Sequence, residues 1–147
     1  MSDRSNEQIG AIAARVFTPN YRPAPIVLDR GEGVRVFDVE GNEFLDMVSG
    51  IAVSALGHNH PALVAAITEQ AGKILHTSNL YLNEPSVRLA ELMTQSGWGD
   101  RVYFCNSGAE ANEASIKLAR KFAFDAGQTD RVDIVSFDGS FHGRTFG

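Results

Sequence analysis

The stretch that most limits what this chain can fold into is Cys105-Asn106-Ser107-Gly108-Ala109-Glu110-Ala111-Asn112-Glu113. Before it, Arg101-Val102-Tyr103-Phe104-Cys105 is short, apolar and rich in strand formers. After it, residues 111–126 are good helix formers with neither proline nor interior glycine. A strand that turns sharply into a helix leaves backbone N–H groups unpaired at the helix start. Those donors and the positive end of the helix dipole favour an anion, phosphate above all, and Ser107 adds a hydroxyl. An ordinary N-capped helix accounts for the corner equally well.

The 147 residues are 44% hydrophobic, normal for one globular domain. Thirteen basic against eighteen acidic residues give a net charge of -5, and the basic ones are scattered, so no nucleic-acid footprint appears. The first seven residues lack the apolar core of a secretory signal. No apolar run approaches the roughly 18 residues of a membrane span. Cys105 stands alone, which excludes an internal disulfide and fits a reducing cytoplasm. At the end of an apolar strand it is expected to be a buried structural thiol.

Ile9, Ile12, Ala13, Val16 and Phe17 recur at helical spacing, predicting an amphipathic helix over 5–17. Three prolines between Pro19 and Pro25 make an extended connector. Ile26-Val27-Leu28 and Val34-Arg35-Val36-Phe37 flank Asp29–Gly33, and with Glu43–Val48 they predict a small antiparallel meander over 26–48. Residues 49–60 are apolar and glycine-broken, expected as buried irregular chain. Pro61 and Pro85 suit the first turns of two helices. Leu63, Val64, Ile67, Ala71 and Ile74 would face inward on the first, and Gly97 and Gly99 would end the second. A strand at 101–105, a helix near 109–126 and a strand at 132–137 form a βαβ unit. On that helix Ala111, Ala114, Ser115, Leu118 and Phe122 trace one stripe, with Glu113 and Lys117 paired on the wet face.

In parallel sheets the ligand site lies beyond the C-terminal strand ends. The corner at 105–109 and the segment 138–145 both stand there. Ser107, Gly108 and Ala109 would supply phosphate donors, Phe141 a ring and Arg144 a guanidinium. A phosphate, something flat and an acid form a coherent ligand description, against the plainer readings of Phe141 as a core ring and Arg144 as a surface charge. His58 and His60 lack a nearby carboxylate or cysteine at ligand spacing, so no metal site is expected, and His60 is expected to cap the helix that Pro61 begins. Gly31-Glu32-Gly33 has no third glycine or following helix, so a dinucleotide fingerprint fails. Lys73, Lys117 and Lys121 are the candidates for a Schiff-base nucleophile, and none reads as activated.

Asn106-Ser107-Gly108-Ala109-Glu110-Ala111-Asn112-Glu113-Ala114, Lys117-Leu118-Ala119-Arg120 and Ser140-Phe141-His142-Gly143-Arg144-Thr145 resemble the class III pyridoxal-phosphate aminotransferases. Gly50-Ile51-Ala52-Val53, Leu56-Gly57-His58-Asn59-His60-Pro61 and His76-Thr77-Ser78-Asn79-Leu80-Tyr81 continue the resemblance, in order, from about Tyr21 onward. It implies the N-terminal portion of an α/β fold-type-I transferase: a small antiparallel meander, then the start of a mainly parallel large domain. Residues 1–50 would belong to the small domain and 51–147 to the first part of the cofactor domain.

Pyridoxal 5'-phosphate is the implied cofactor, with Ser107, Gly108 and Ala109 on its phosphate and Phe141 stacked on its ring. Arg144 would bind the substrate α-carboxylate, Tyr21 would contact substrate, and His142 would serve a positional role. The implied substrates are an amino acid and a 2-oxo acid. N-acetylornithine with 2-oxoglutarate leads, ahead of ornithine, succinylornithine or 4-aminobutyrate. The implied enzyme is a cytoplasmic homodimer acting in arginine biosynthesis. The family's Schiff-base lysine is expected beyond residue 147, so no catalytic residue is assigned within the chain. Alone it is expected to be inactive, at most a phosphate-ligand-binding module.

Overall fold

A reciprocal capping box starts the first element: Ser5 Oγ accepts from Gln8 N, and Ser5 N donates to Gln8 Oε1. Helix α1 (Asn6–Val16) follows, with Ile9, Ile12 and Ala13 half-buried and Val16 and Phe17 exposed. The computed structural model describes residues 4–97 and 99–145; Met1–Asp3, part of the stretch read as lacking a signal, lie outside them. The chain divides into two compact units, Met1–Ser78 and Asn79–Gly147.

In the first unit, β1 (Leu28–Glu32), β2 (Arg35–Asp38) and β3 (Glu43–Leu45) form the antiparallel meander, in the order β1-β2-β3. Its edges differ from expectation. Residues 29–32 are strand rather than connection, because Gly33, at φ 56°, allows a two-residue turn with Val34. β3 ends at Leu45 because the Asp46 carboxylate accepts from Val48 N and Ser49 N, at 3.0 and 2.7 Å, and turns the chain.

Val36 and Asp38 are the buried residues of this sheet, Asp38 only 4% exposed. A sealed carboxylate needs donors, and Asp38 has four: Asn6 Nδ2, Asn42 N, Asn42 Nδ2 and Glu40 N, at 2.8 to 3.0 Å. Asn6 Oδ1 accepts in turn from Val27 N at 2.7 Å, so this network pins α1 to the sheet. The Asn42 amide, aided by the other donors, holds the Asp38 carboxyl below its ordinary value of 3.8.

Residues 49–60 are irregular as expected, but they are not buried; Ile51, Val53 and Leu56 are exposed. Within them α2 (Ser49–Ala52) is one turn in left-handed backbone: φ is 52°, 62°, 63° and 62° along the four residues. Left-handed geometry costs roughly 1–2 kcal/mol for each L-residue with a Cβ, and three of the four carry one. The clasps are Ser49 Oγ donating to Ser54 O and the Asp46 bonds already named. Beyond the turn, His58 exchanges both backbone bonds with Gly33, at 2.8 and 2.9 Å. Its ring covers Gly31 so closely that a Cβ there would stand 2.6 Å from His58 Cβ.

Helix α3 (Pro61–Ala71) begins at Pro61, but its expected inner face is open, with Leu63, Val64 and Ile67 exposed. His60 holds the N-cap position without a side-chain cap bond, and its Nδ1 has no hydrogen-bond partner. Imidazole lacks the short oxygen arm that reaches the N–H groups of the first turn.

In the second unit, Asn83 Oδ1 caps Ser86 N to start α4 (Glu84–Gln95), and α5 (Gly108–Asp125) carries the corner. The segments 101–105 and 132–137, expected as parallel strands, join no ladder among the described residues. A strand exists only with a partner about 4.8 Å away, and a βαβ pattern states direction without naming a neighbour. For the same reason Cys105, expected buried, is exposed, its thiol donating to Ser107 O at 3.4 Å. The stripe on α5 is also displaced. Of it only Ala114 is half-buried, along with Asn112, Glu113 and Ile116; Ala123 is buried, whereas Ala111, Ser115, Leu118 and Phe122 are exposed. Among the described residues no helix is long and apolar enough to cross a membrane.

A carboxylate with a depressed folded pKa stabilises above its unfolded value, and that contribution is lost as pH falls through the folded value. We therefore expect the melting temperature to fall once pH drops below about 3.8. Asp38→Asn would turn an amide N–H toward the donors of Asn6 or Asn42. It should melt lower than the parent at pH 7 and show a flatter acid limb; an acid limb as steep as the parent's would count against Asp38 as its source.

Candidate functional site

Ser107 is extended at φ -151°, ψ 160° and caps α5, its Oγ accepting from Glu110 N at 3.2 Å. That bond uses a lone pair of the hydroxyl and leaves its proton to donate. The Glu110 carboxylate reaches back to Asn106 N at 2.7 Å, so one corner donor is satisfied inside the protein. Gly108 and Ala109, first in the helix, have no carbonyl one turn behind them to bond. A Cβ added at Gly108 would meet nothing within 4 Å, so the space beside Gly108 is open. A hydroxyl and two N–H groups at a positive helix end suit a phosphate-sized anion.

The segment after residue 137 comes to this helix start. Gly143, at φ 101°, lies against Ala109, and a Cβ at 143 would stand 2.7 Å from Ala109 Cβ and 3.0 Å from its Cα. Only glycine allows both that conformation and that approach. Two residues further on, Thr145 Oγ1 donates to Glu113 Oε1 at 2.5 Å, while Lys117 Nζ donates to Glu113 Oε2 at 3.2 Å. Thr145 foremost, then Lys117, holds the Glu113 carboxyl below its ordinary range. Phe141 is exposed, and the Arg144 guanidinium carbon lies 5.5 Å from its ring centroid, within cation–π range.

Five of the six site residues chosen from sequence, Ser107, Gly108, Ala109, Phe141 and Arg144, therefore belong to one unit. Its corner and its 141–145 segment are joined through Gly143. Tyr21 belongs to the other unit, exposed on the connector after α1. Sequence reasoning missed Glu113 as a tie to Thr145, because residues 32 apart share no local pattern. It also missed the carboxylate beside His58: Asp46 Oδ2 lies 2.6 Å from His58 Nε2. Among the described residues no group of three or more potential metal ligands forms. Lys73, Lys117 and Lys121 are exposed, each beside a carboxylate one helical turn away on Glu69, Glu113 and Asp125.

The family described as Aminotransferase class-III matches residues 16–147, and the chain belongs to it. Among curated relatives, the chain is similar to the acetylornithine aminotransferase of Xanthomonas campestris pv. campestris, at 57% identity over 134 residues. That alignment covers 90% of this chain and 33% of the relative. It is also similar to the succinylornithine transaminase of Citrobacter koseri, at 55% identity over 127 residues, covering 86% and 31%. Among solved structures, N-acetylornithine aminotransferase from Stenotrophomonas maltophilia K279a superposes with a TM-score of 0.81 at 48% identity, covering 90% of this chain and 35% of that one. The chain spans about a third of the length of the curated relatives it matches.

Gly143→Ala should lower the unfolding free energy by about 1–3 kcal/mol, the cost of a strained backbone position. It should also speed amide exchange across 138–145. Urea unfolding and hydrogen exchange measure both, and a variant as stable as its parent would contradict the contact with Ala109.

Proposed function

We propose that these residues form the phosphate- and carboxylate-binding side of a pyridoxal-phosphate aminotransferase site. The proposed enzyme moves an amino group from N-acetylornithine to 2-oxoglutarate in arginine biosynthesis. The observation that carries this reading is the seating of Gly143 on Ala109. It brings a guanidinium and an aromatic ring to a helix start that already suits a phosphate. Bound there, pyridoxal phosphate would supply an electron sink for the bonds at the substrate α-carbon. Ser107 Oγ and the amides of Gly108 and Ala109 would hold its phosphate, and Phe141 would lie against its ring. The Arg144 fork would take the α-carboxylate of either substrate, a planar two-point grip that lysine reproduces poorly. Tyr21 would contact substrate.

A proton at the reacting carbon needs a movable base, and the three lysines here stand beside carboxylates at exposed positions. On the resemblance to the class III aminotransferases, the reacting lysine is assigned to polypeptide beyond residue 147. The reading includes a cytoplasmic homodimer in which residues 1–50 join a small domain and 51–147 a large one. Many apolar side chains on α3, α4 and α5 stand exposed, which suits burial against the remainder of such an enzyme. On its own the chain would be a phosphate-ligand-binding module without turnover.

Succinylornithine is the second donor to weigh, because a transaminase named for it is nearly as similar in sequence. A donor panel with 2-oxoglutarate, run on the enzyme of full family length carrying these residues, should rank N-acetylornithine above ornithine and 4-aminobutyrate. A preference for either of those would overturn the donor while leaving the reaction class. Arg144→Lys should raise KM for both acids about 10- to 100-fold, as expected for a lost charge-assisted hydrogen bond. Cofactor affinity should change far less, and an equal loss of cofactor would remove Arg144 from the substrate role.

A further inference from the structure

Arg144 lies between two residues held to the same helix, one turn apart. Gly143 sits on Ala109, and Thr145 is hydrogen-bonded to Glu113. Four residues of helix rise about 6 Å, and two residues of chain span at most about 7 Å. The segment 143–145 is therefore held at two points about one helical turn apart near the start of α5. We propose that Glu113 and Thr145 form a positioning clamp that sets where the Arg144 guanidinium can go, and so governs carboxylate binding without touching substrate.

Glu113 suits the task chemically. It is half-buried, and its two oxygens are divided between Thr145 and Lys117 at 2.5 and 3.2 Å. The Lys117 ammonium helps keep the carboxylate charged, which strengthens the bond from the threonine hydroxyl. Of the two fixed points, the one at Gly143 is steric and the one at Thr145 is polar. Removing the polar one should loosen the segment at Thr145 while it stays seated at Ala109. The consequence should fall on Arg144 and spare the donors at Ser107, Gly108 and Ala109.

The clamp rests on the reading of Arg144 as the carboxylate ligand, so its test carries Arg144→Lys alongside. In the enzyme of full family length, Glu113→Ala and Thr145→Val should each raise KM for the amino donor and the 2-oxo acid together, by about tenfold, as one modest interaction is lost. The pyridoxal-phosphate dissociation constant, from absorbance titration, should move by less than about twofold. Thr145→Ser keeps the hydroxyl and should restore KM. Hydrogen exchange of residues 143–145 should quicken in the first two variants and match the parent in the serine variant.

Unchanged KM in Thr145→Val, with Arg144→Lys raising it, overturns the clamp and leaves the reading of Arg144 intact. Cofactor affinity falling in step with KM also overturns it, since the effect would then be general loosening of the helix start. KM unmoved by Arg144→Lys overturns the carboxylate role and the clamp's purpose together. Exchange at 143–145 would then still report whether the Thr145–Glu113 tie exists.

Discussion

The carboxylate of Asp38 is the interaction on which the N-terminal unit depends. It collects donors from α1 and from the turn after β2, so two pieces of chain 32 residues apart meet at two oxygens. The same device recurs in smaller form. Asp46 ends a strand, starts the turn at 48–49 and takes the His58 ring; His58 foremost holds its carboxyl below the ordinary range. In the other unit Glu113 joins a helix to a segment 32 residues away. Apolar burial cannot do this work in these units, where Val36 and Ala123 are the only buried hydrophobic residues among those described. Hydrogen bonds to sealed or half-sealed charge are directional, and direction is what a polar tie adds when packing is sparse.

What the sequence disclosed follows from the range over which each signal acts. Helix starts were legible where the signal is local: the apolar spacing from Ile9 in α1, the first-turn prolines Pro61 and Pro85, and Ser107 before Gly108. The meander was legible because its strands are neighbours in sequence, and its error at residues 29–32 arose from reading Gly31 as turn when Gly33 makes it. The unpaired segments 101–105 and 132–137 were misjudged because strand propensity is local and a ladder partner is not. The inner face of α5 was shifted for a related reason. Hydrophobic spacing identified an apolar stripe, whereas the side that is covered is set by Arg120 donating to Val132 O and Glu113 accepting from Thr145.

The candidate site divides along the same line. Ser107, Gly108 and Ala109 could be chosen from a strand-like run meeting a helix-like one, because an anion site at a helix start is a property of a few consecutive residues. Phe141 and Arg144 required a tertiary contact to join them, and the contact proved to be Gly143 on Ala109. No spacing rule would have found it, since the only sequence trace is a glycine among polar residues. Membership of the class III aminotransferases, by contrast, was legible across the chain, because it rests on many short motifs in a fixed order.

The left-handed turn at 49–52 has a kinetic side. A right-handed helix can nucleate from its own residues, but a turn disfavoured in three of its four residues depends on the bonds that clasp it. Its supports are Asp46, which must first leave β3, and the bridge between His58 and Gly33, which must span the rest of the meander. Of these, the bridge can close only against the turn that joins β1 to β2. A stretch held in disfavoured backbone by such bonds is one the N-terminal unit can open at small cost.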